Sequence, residues 1–442
     1  MTSPAPQAPS RQLSHPAAIA IVSLIFFMWG GLTSLNDVLI PHLKAVFSMN
    51  YAQAMLIQFT FFGAYFLMSL PSGAVLARLG YKASIVVGLM VAAVGAVLFY
   101  PAAKLPSYGL FLAALFVLAS GITLLQVAAN PYISLLGDAA TSHSRLNLAQ
   151  ALNSLGTTLF PYFIGPLILS AAVLGADKLA AMSPDALASY RATQAQSVQV
   201  PYLLLAGALV LLAAFVLLMR IPALREATDA GDTVRHGYAD VLRHAHLKWG
   251  VLAIFVYVGA EVSIGSFLIN YLAEPGIGGL AEATASKYLP FYWGGAMIGR
   301  FIGAGLLTKV DARKLLALFA LIAIALLATT MSTHGQLAMW TVLAIGLFNS
   351  IMFPTIFTTA IEGLGAMTGK ASSLLIMAIV GGAVVPLAQG ALADRIGIQH
   401  AFALPLACYA FIAWYALRGS RLSALEASTA AALPAAPTRP MH

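Results

Sequence analysis

Charge is what this chain has least of. Asp, Glu, Lys and Arg make up 9% of its 442 residues, where a soluble domain carries about 25%. With hydrophobic residues at 60%, an ordinary water-soluble fold is excluded. Cysteine is almost missing. Its one representative, Cys408, cannot close an intrachain disulfide, and its place in the last apolar run marks a small packing residue. Strands of alternating polarity are lacking, which excludes an outer-membrane barrel. HExxH, GxSxG, paired CxxC and lysine-bearing phosphate loops are lacking too, so no enzyme and no cofactor is expected. Basic residues form no clustered face, so nucleic acid is not an expected partner.

Long apolar sequence is what the chain has most of. A spanning helix needs about 20 such residues, and twelve runs qualify: 17–47, 52–77, 83–102, 107–136, 145–173, 200–219, 248–273, 284–308, 313–331, 335–361, 371–392 and 399–418. The fold class expected is an all-α membrane protein in a lipid bilayer. With the amino terminus inside, the cytoplasmic segments hold 16 Lys/Arg and the outer segments six. That bias predicts a bacterial inner-membrane protein with both termini in the cytoplasm, and the net charge of +8 reports topology. The first fourteen residues have no apolar signal core, so no cleaved signal peptide is expected. The Ala/Pro-rich tail is expected to be disordered.

The longest polar cytoplasmic stretch, 220–247, separates two six-span halves, 17–219 and 248–418, with tails 1–16 and 419–442. The halves resemble each other. WGGLTSLNDVLIPHL (29–43) aligns with VGAEVSIGSFLINYL (258–272), NPYISLLGD (130–138) with FPTIFTTAI (353–361), and Pro161 with Pro386. Offsets of 229, 223 and 225 residues fit one duplication. A parallel repeat with substrate near the midplane is the major facilitator architecture.

Polar residues inside the spans carry the chemistry. Asp37, beside Asn36, lies deep in span one, where a carboxylate costs on the order of 3 kcal/mol and faces a partner or a watery cavity. Gln126 and Asn130 share one helical face, and Asn147, Gln150 and Asn153 share another. Amides also glue membrane helices together, at about 0.6 kcal/mol each. Five of them near a carboxylate favour a hydrated site for a sugar, whose hydroxyls both donate and accept. Glu261 in span seven is a second intramembrane acid, for sugar binding or ion coupling. Trp293 is the candidate stacking plate, with Trp29 and Tyr65 behind it. Asp37 with amide oxygens would serve either H+ or Na+. Arg300, near the inner end of span eight, is expected to stabilise the cytoplasmic closure.

GAVLARLGYK (73–82) resembles the G-x-L-a-D-r-x-G-r-k signature of the major facilitator superfamily. Gly73, Leu76, Arg78, Gly80 and Lys82 match, which implies a gating role, but Ala77 replaces the aspartate of the family's charge relay. GALADRIG (390–397) matches better yet falls in an external loop, where a tight polar turn is expected. FFMWG (26–30), LNDVLIPHLK (35–44), YAQAMLIQF (51–59), QVAANPYISLLG (126–137) and RLNLAQALNSLG (145–156) together resemble the fucose–galactose–glucose:cation symporters, most of all the glucose/galactose branch. The resemblance implies hexose import by cation symport, protons slightly favoured over sodium, in a functional monomer. In the fucose permeases the aspartate matched by Asp37 is paired with a glutamate where this chain has Gln126, so Asp37 is the surviving titratable member. A uniporter, a drug/proton antiporter and a non-transporting sugar receptor are the alternatives. The antiporters' span-five G-x-x-x-G-P-x-x-G-G is reduced here to Gly165-Pro166, and a receptor is expected to add a signalling domain for which neither tail is long enough.

Overall fold

In lipid, each backbone N–H and C=O must be paired inside the protein, so long apolar runs fold as helices. The computed structural model describes residues 14–47, 51–105, 107–164, 181–222 and 237–422, and the regular elements among them are all helical. They supply twelve spans. The first is His15–Phe47. The second and third run through Tyr51–Lys104, broken at Gly80, whose φ of 73° is a conformation open to glycine. The fourth to sixth are Tyr108–Leu135, Ser142–Phe163 and Gln199–Leu218, with an outer helix, Pro184–Gln196, before the sixth. The seventh to ninth are Ala245–Ala273, Leu289–Leu306 and Ala312–Ser332. The tenth is Gly335–Asn349 continued by Met352–Ala360, the eleventh Thr368–Met377 continued by Gly381–Ile396, and the twelfth is built on Ala403–Trp414.

Among the described residues, nine helical stretches are apolar and long enough to cross a bilayer on composition alone. Spans five and eight fall short of that mark. One carries Asn147, Gln150 and Asn153, and the other carries Arg300 among several glycines. Their polar residues face the junction between the halves, where Asn147 bonds the Arg300 carbonyl and Arg300 bonds Ser154.

The repeat is visible in the packing. A Cβ on Gly156 of span five would collide with the Phe27 carbonyl of span one, and a Cβ on Gly381 of span eleven with the Phe255 carbonyl of span seven. Small residues let membrane helices approach to backbone contact, and the same glycine does so in each half. GALADRIG is not the tight loop turn expected: residues 390–396 complete the helix Gly381–Ile396, and the chain turns at Gly397, φ 82°.

The halves meet most tightly at the end that carries the linker and the basic loops. There Ser372 Oγ donates to the Val127 carbonyl at 2.8 Å, and Ser144 Oγ to the Ala304 carbonyl at 2.7 Å. His143 bonds Thr358 across the same seam. Tyr238, within the linker, donates to the Leu70 carbonyl of span two at 3.2 Å. Residues 223–236 of the linker and most of both tails lie outside the described residues.

Candidate substrate site between the halves

A cavity of about 210 Å³ lies above this seam, lined from both halves. Span one contributes Trp29 and Thr33; span two Phe61, Phe62 and Tyr65; span four Gln126; span five Gln150 and Asn153. The second half contributes Glu261 and Val262 of span seven, Arg300 of span eight, Phe353 of span ten and Ile379 of span eleven. Aromatic faces and amides therefore share one wall with a pair of opposite charges.

On the amino-terminal side, Gln126 Nε2 donates to the Tyr65 hydroxyl at 2.8 Å, which bridges spans four and two. Asn153 Nδ2 donates to the Phe26 carbonyl at 2.9 Å and fixes span five against span one. Helical register explains why Gln150 and Asn153 face the same space, being three residues apart. Asn130 is fully buried but does not line the cavity, and its amide makes no hydrogen bond among the described residues. Asn36 and Asp37 sit on the described helix of span one, three and four residues past Thr33, but their side chains lie outside the described residues. The sodium site expected near Asp37 lies outside them too.

On the carboxy-terminal side, Arg300 Nη2 stands 3.6 Å from Glu261 Oε1, both side chains nearly buried at 14% and 12% exposure. Arg300 Nε donates to the Ser350 carbonyl at 3.3 Å, and Nη1 to the Ser154 hydroxyl of the other half. Its own carbonyl accepts from Asn147 Nδ2 at 2.6 Å. The Ser350 carbonyl is free to accept because the helix of span ten breaks between Asn349 and Met352. Below Glu261 lies a polar hub that the sequence did not single out. Asn349 Nδ2 donates to Tyr292 at 2.8 Å, Tyr409 donates to Asn349 Oδ1 at 2.6 Å, and Tyr257 donates to the Asn349 carbonyl at 3.0 Å. Tyr292 in turn donates to the Glu261 carbonyl at 3.0 Å.

Trp293 does not line the cavity. It is 41% exposed on span eight and packs beside Gly265 and Tyr292, while Trp29, buried on span one, takes the wall position. Thr33, Phe61, Phe62 and Phe353 line it unforeseen. No motif marks them, because an aromatic in an apolar helix looks the same whether it faces lipid or a cavity.

The gating candidates lie at the linker end. Gly73 abuts Ser373 of span eleven and the Tyr238 hydroxyl, so the signature's first glycine lets the halves touch. Lys82 Nζ donates to the Leu217 carbonyl at 2.9 Å, closing the end of span six. Arg78 is exposed. A second cavity of about 440 Å³ opens at this end, lined by His143, Lys309, Asp311, Arg313 and Glu362 among others. Arg313 Nη2 reaches Glu362 Oε2 at 2.5 Å.

A twelve-span bundle in two repeated halves, with a polar cavity at their junction, has the architecture of a transporter. The Major Facilitator Superfamily model matches residues 21–379, and the chain belongs to that family. A glucose/galactose transporter of Brucella abortus biovar 1 (strain 9-941) is 53% identical over 412 residues, covering 93% of this chain and 96% of that protein. The L-fucose-proton symporter of Escherichia coli (strain K12) is 37% identical over 405 residues, covering 90% and 92%. The crystal structure of the transporter FucP in the outward conformation superposes with a TM-score of 0.86 at 36% identity, over 92% of this chain and all of that one.

Proposed function

We propose that this protein imports a hexose of the glucose/galactose type by cation symport, with protons favoured over sodium, through alternating access. The observation that carries the proposal is the inter-half cavity, where Gln126, Gln150 and Asn153 stand with Trp29, Tyr65 and the Glu261–Arg300 pair. Amides donate and accept at once, as sugar hydroxyls do, and aromatic faces suit the apolar face of a pyranose. Relatives spanning nearly the whole chain carry glucose/galactose and fucose-proton transport in their names. The coupling candidates are Asp37, the acid of span one, and Glu261, already in the cavity wall.

The basic, linker-bearing end is assigned to the cytoplasm of a bacterial inner membrane, with both termini there. Its sealed seam then makes the described state outward-facing, in keeping with the outward conformation of the structural neighbour. The protein works as a monomer, each chain holding both halves of its site.

The test is uptake of radiolabelled glucose, galactose and fucose by proteoliposomes, with proton and sodium gradients imposed separately. Accumulation above equilibrium under the proton gradient is expected. Equilibration without accumulation under either gradient would replace the symporter with a uniporter.

A further inference from the structure

We infer that Arg300 is a positioning residue through which the charge on Glu261 decides whether the cytoplasmic closure holds. The inference rests on the transporter reading above and adds a device inside the carboxy-terminal half.

One guanidinium serves three places at once. It faces the Glu261 carboxylate in the cavity at 3.6 Å, the Ser350 carbonyl at the break in span ten at 3.3 Å, and the Ser154 hydroxyl across the junction. Ser154 can accept that bond because its own proton goes to the Gln150 carbonyl at 3.1 Å. The Arg300 backbone crosses to the other half as well, through Asn147 at 2.6 Å. The cavity and the seam thus share a single side chain.

Among the described residues, Glu261 is the carboxylate ion-paired with Arg300. At 3.6 Å the attraction is between charges and needs no aligned hydrogen bond. Neutralising one partner of a buried pair leaves the other charge uncompensated, which is the costly way to break it. Arg300 then relaxes toward water and withdraws from Ser154, and the seam loses its central tie. A proton from water in the outward cavity, landing on a Glu261 carboxylate oxygen, does this. Once the seam parts, the same proton leaves to cytoplasmic water and the pair re-forms. The load thereby selects the direction of opening.

The other titratable groups around Glu261 are Tyr257 on its own span, Tyr292 on span eight and Tyr409 on span twelve, and phenols do not change charge between about pH 5 and 8. Farther down the seam, His143 of span five lies near Arg145, Asp311 and Arg313. The test is therefore read at pH 8, where an ordinary imidazole is neutral.

The experiment uses the full chain in lipid nanodiscs, with Cys408→Ala to remove the native thiol and spin labels at Leu79 and Val310. These exposed positions sit on cytoplasmic loops of opposite halves. Pulsed electron–electron resonance then reads the distance between halves at pH 8, with no sugar present. Glu261→Gln is expected to raise the long-distance population about fivefold or more, a usual coupling strength, and Glu261→Asp to restore the short distance. Ser154→Ala, which cuts the far end of the tie and leaves the cavity charges in place, is expected to shift it the same way. A Glu261→Gln protein with the wild-type distribution overturns the inference, as does equal opening by Gln and Asp. Should Glu261→Gln fail to fold, an unmoved Ser154→Ala overturns it alone. Because the readout needs neither sugar nor gradient, failed uptake with a positive distance result would sink the hexose reading and leave the tie standing.

Discussion

Gln126 of span four donates to Tyr65 of span two at 2.8 Å, and Asn349 of span ten donates to Tyr292 of span eight at 2.8 Å. The two amides are 223 residues apart, the offset already read between spans four and ten. The same brace therefore holds the same pair of helices in each half, but its surroundings differ. In the amino-terminal half both partners line the cavity. In the carboxy-terminal half the brace is buried beneath it, tied also to Tyr257 and Tyr409, and supports Glu261 and Arg300 in the wall. One copy leaves its amide in the cavity wall, and the other turns its amide inward behind a pair of charges.

The strongest test of the shared scaffold is its shared close contact. Gly156→Leu and Gly381→Leu each drive a side chain into a helix backbone, and each is expected to cost about 3 kcal/mol, the upper end for overpacking. Melting temperature and recovery of monodisperse protein measure this. Tolerance in one half alone would break the equivalence.

A smaller effect sharpens the difference between the copies. Gln126→Glu puts an acid into the amide wall, where two carboxylates, the new one and Glu261, share a cavity and split their titrations. Hexose affinity is expected to vary about tenfold between pH 6 and 8 in this variant, equivalent to one pKa unit, and less in the wild type. Calorimetry in sodium and in choline checks it. A wild-type pH profile would place Gln126 outside the coupling site.

The smallest effect belongs to Arg313–Glu362, half-exposed at 27% and 40%. Arg313→Met should cost under about 1 kcal/mol in thermal unfolding.

The spans were legible because apolar length permits little else in a membrane. The amide wall was legible too, since Gln126, Gln150 and Asn153 stand out in otherwise apolar runs, and the structure brings those three to one cavity. Direction was not legible. Trp29 and Trp293 each stand among apolar neighbours, whose spacing does not say which face meets the cavity. Asn349 is an isolated amide in an apolar run, and its offset of 223 residues from Gln126 is the signal that marks it. The ties of Arg300 depend on a helix break at Ser350 and on a residue 146 positions away, Ser154, which no local pattern encodes.

The central claim is that the ligand is held by the amino-terminal copy of the brace while the carboxy-terminal copy only supports the wall. Calorimetric titration of a hexose against the wild type, Gln126→Leu and Asn349→Leu tests it most directly. Asn349→Leu strands buried tyrosine hydroxyls at about 1–3 kcal/mol each, so a lower melting temperature with binding retained is expected. Gln126→Leu is expected to weaken binding at least about tenfold, the loss of roughly 1.4 kcal/mol. Wild-type affinity in Gln126→Leu, with binding lost in Asn349→Leu, would contradict the account.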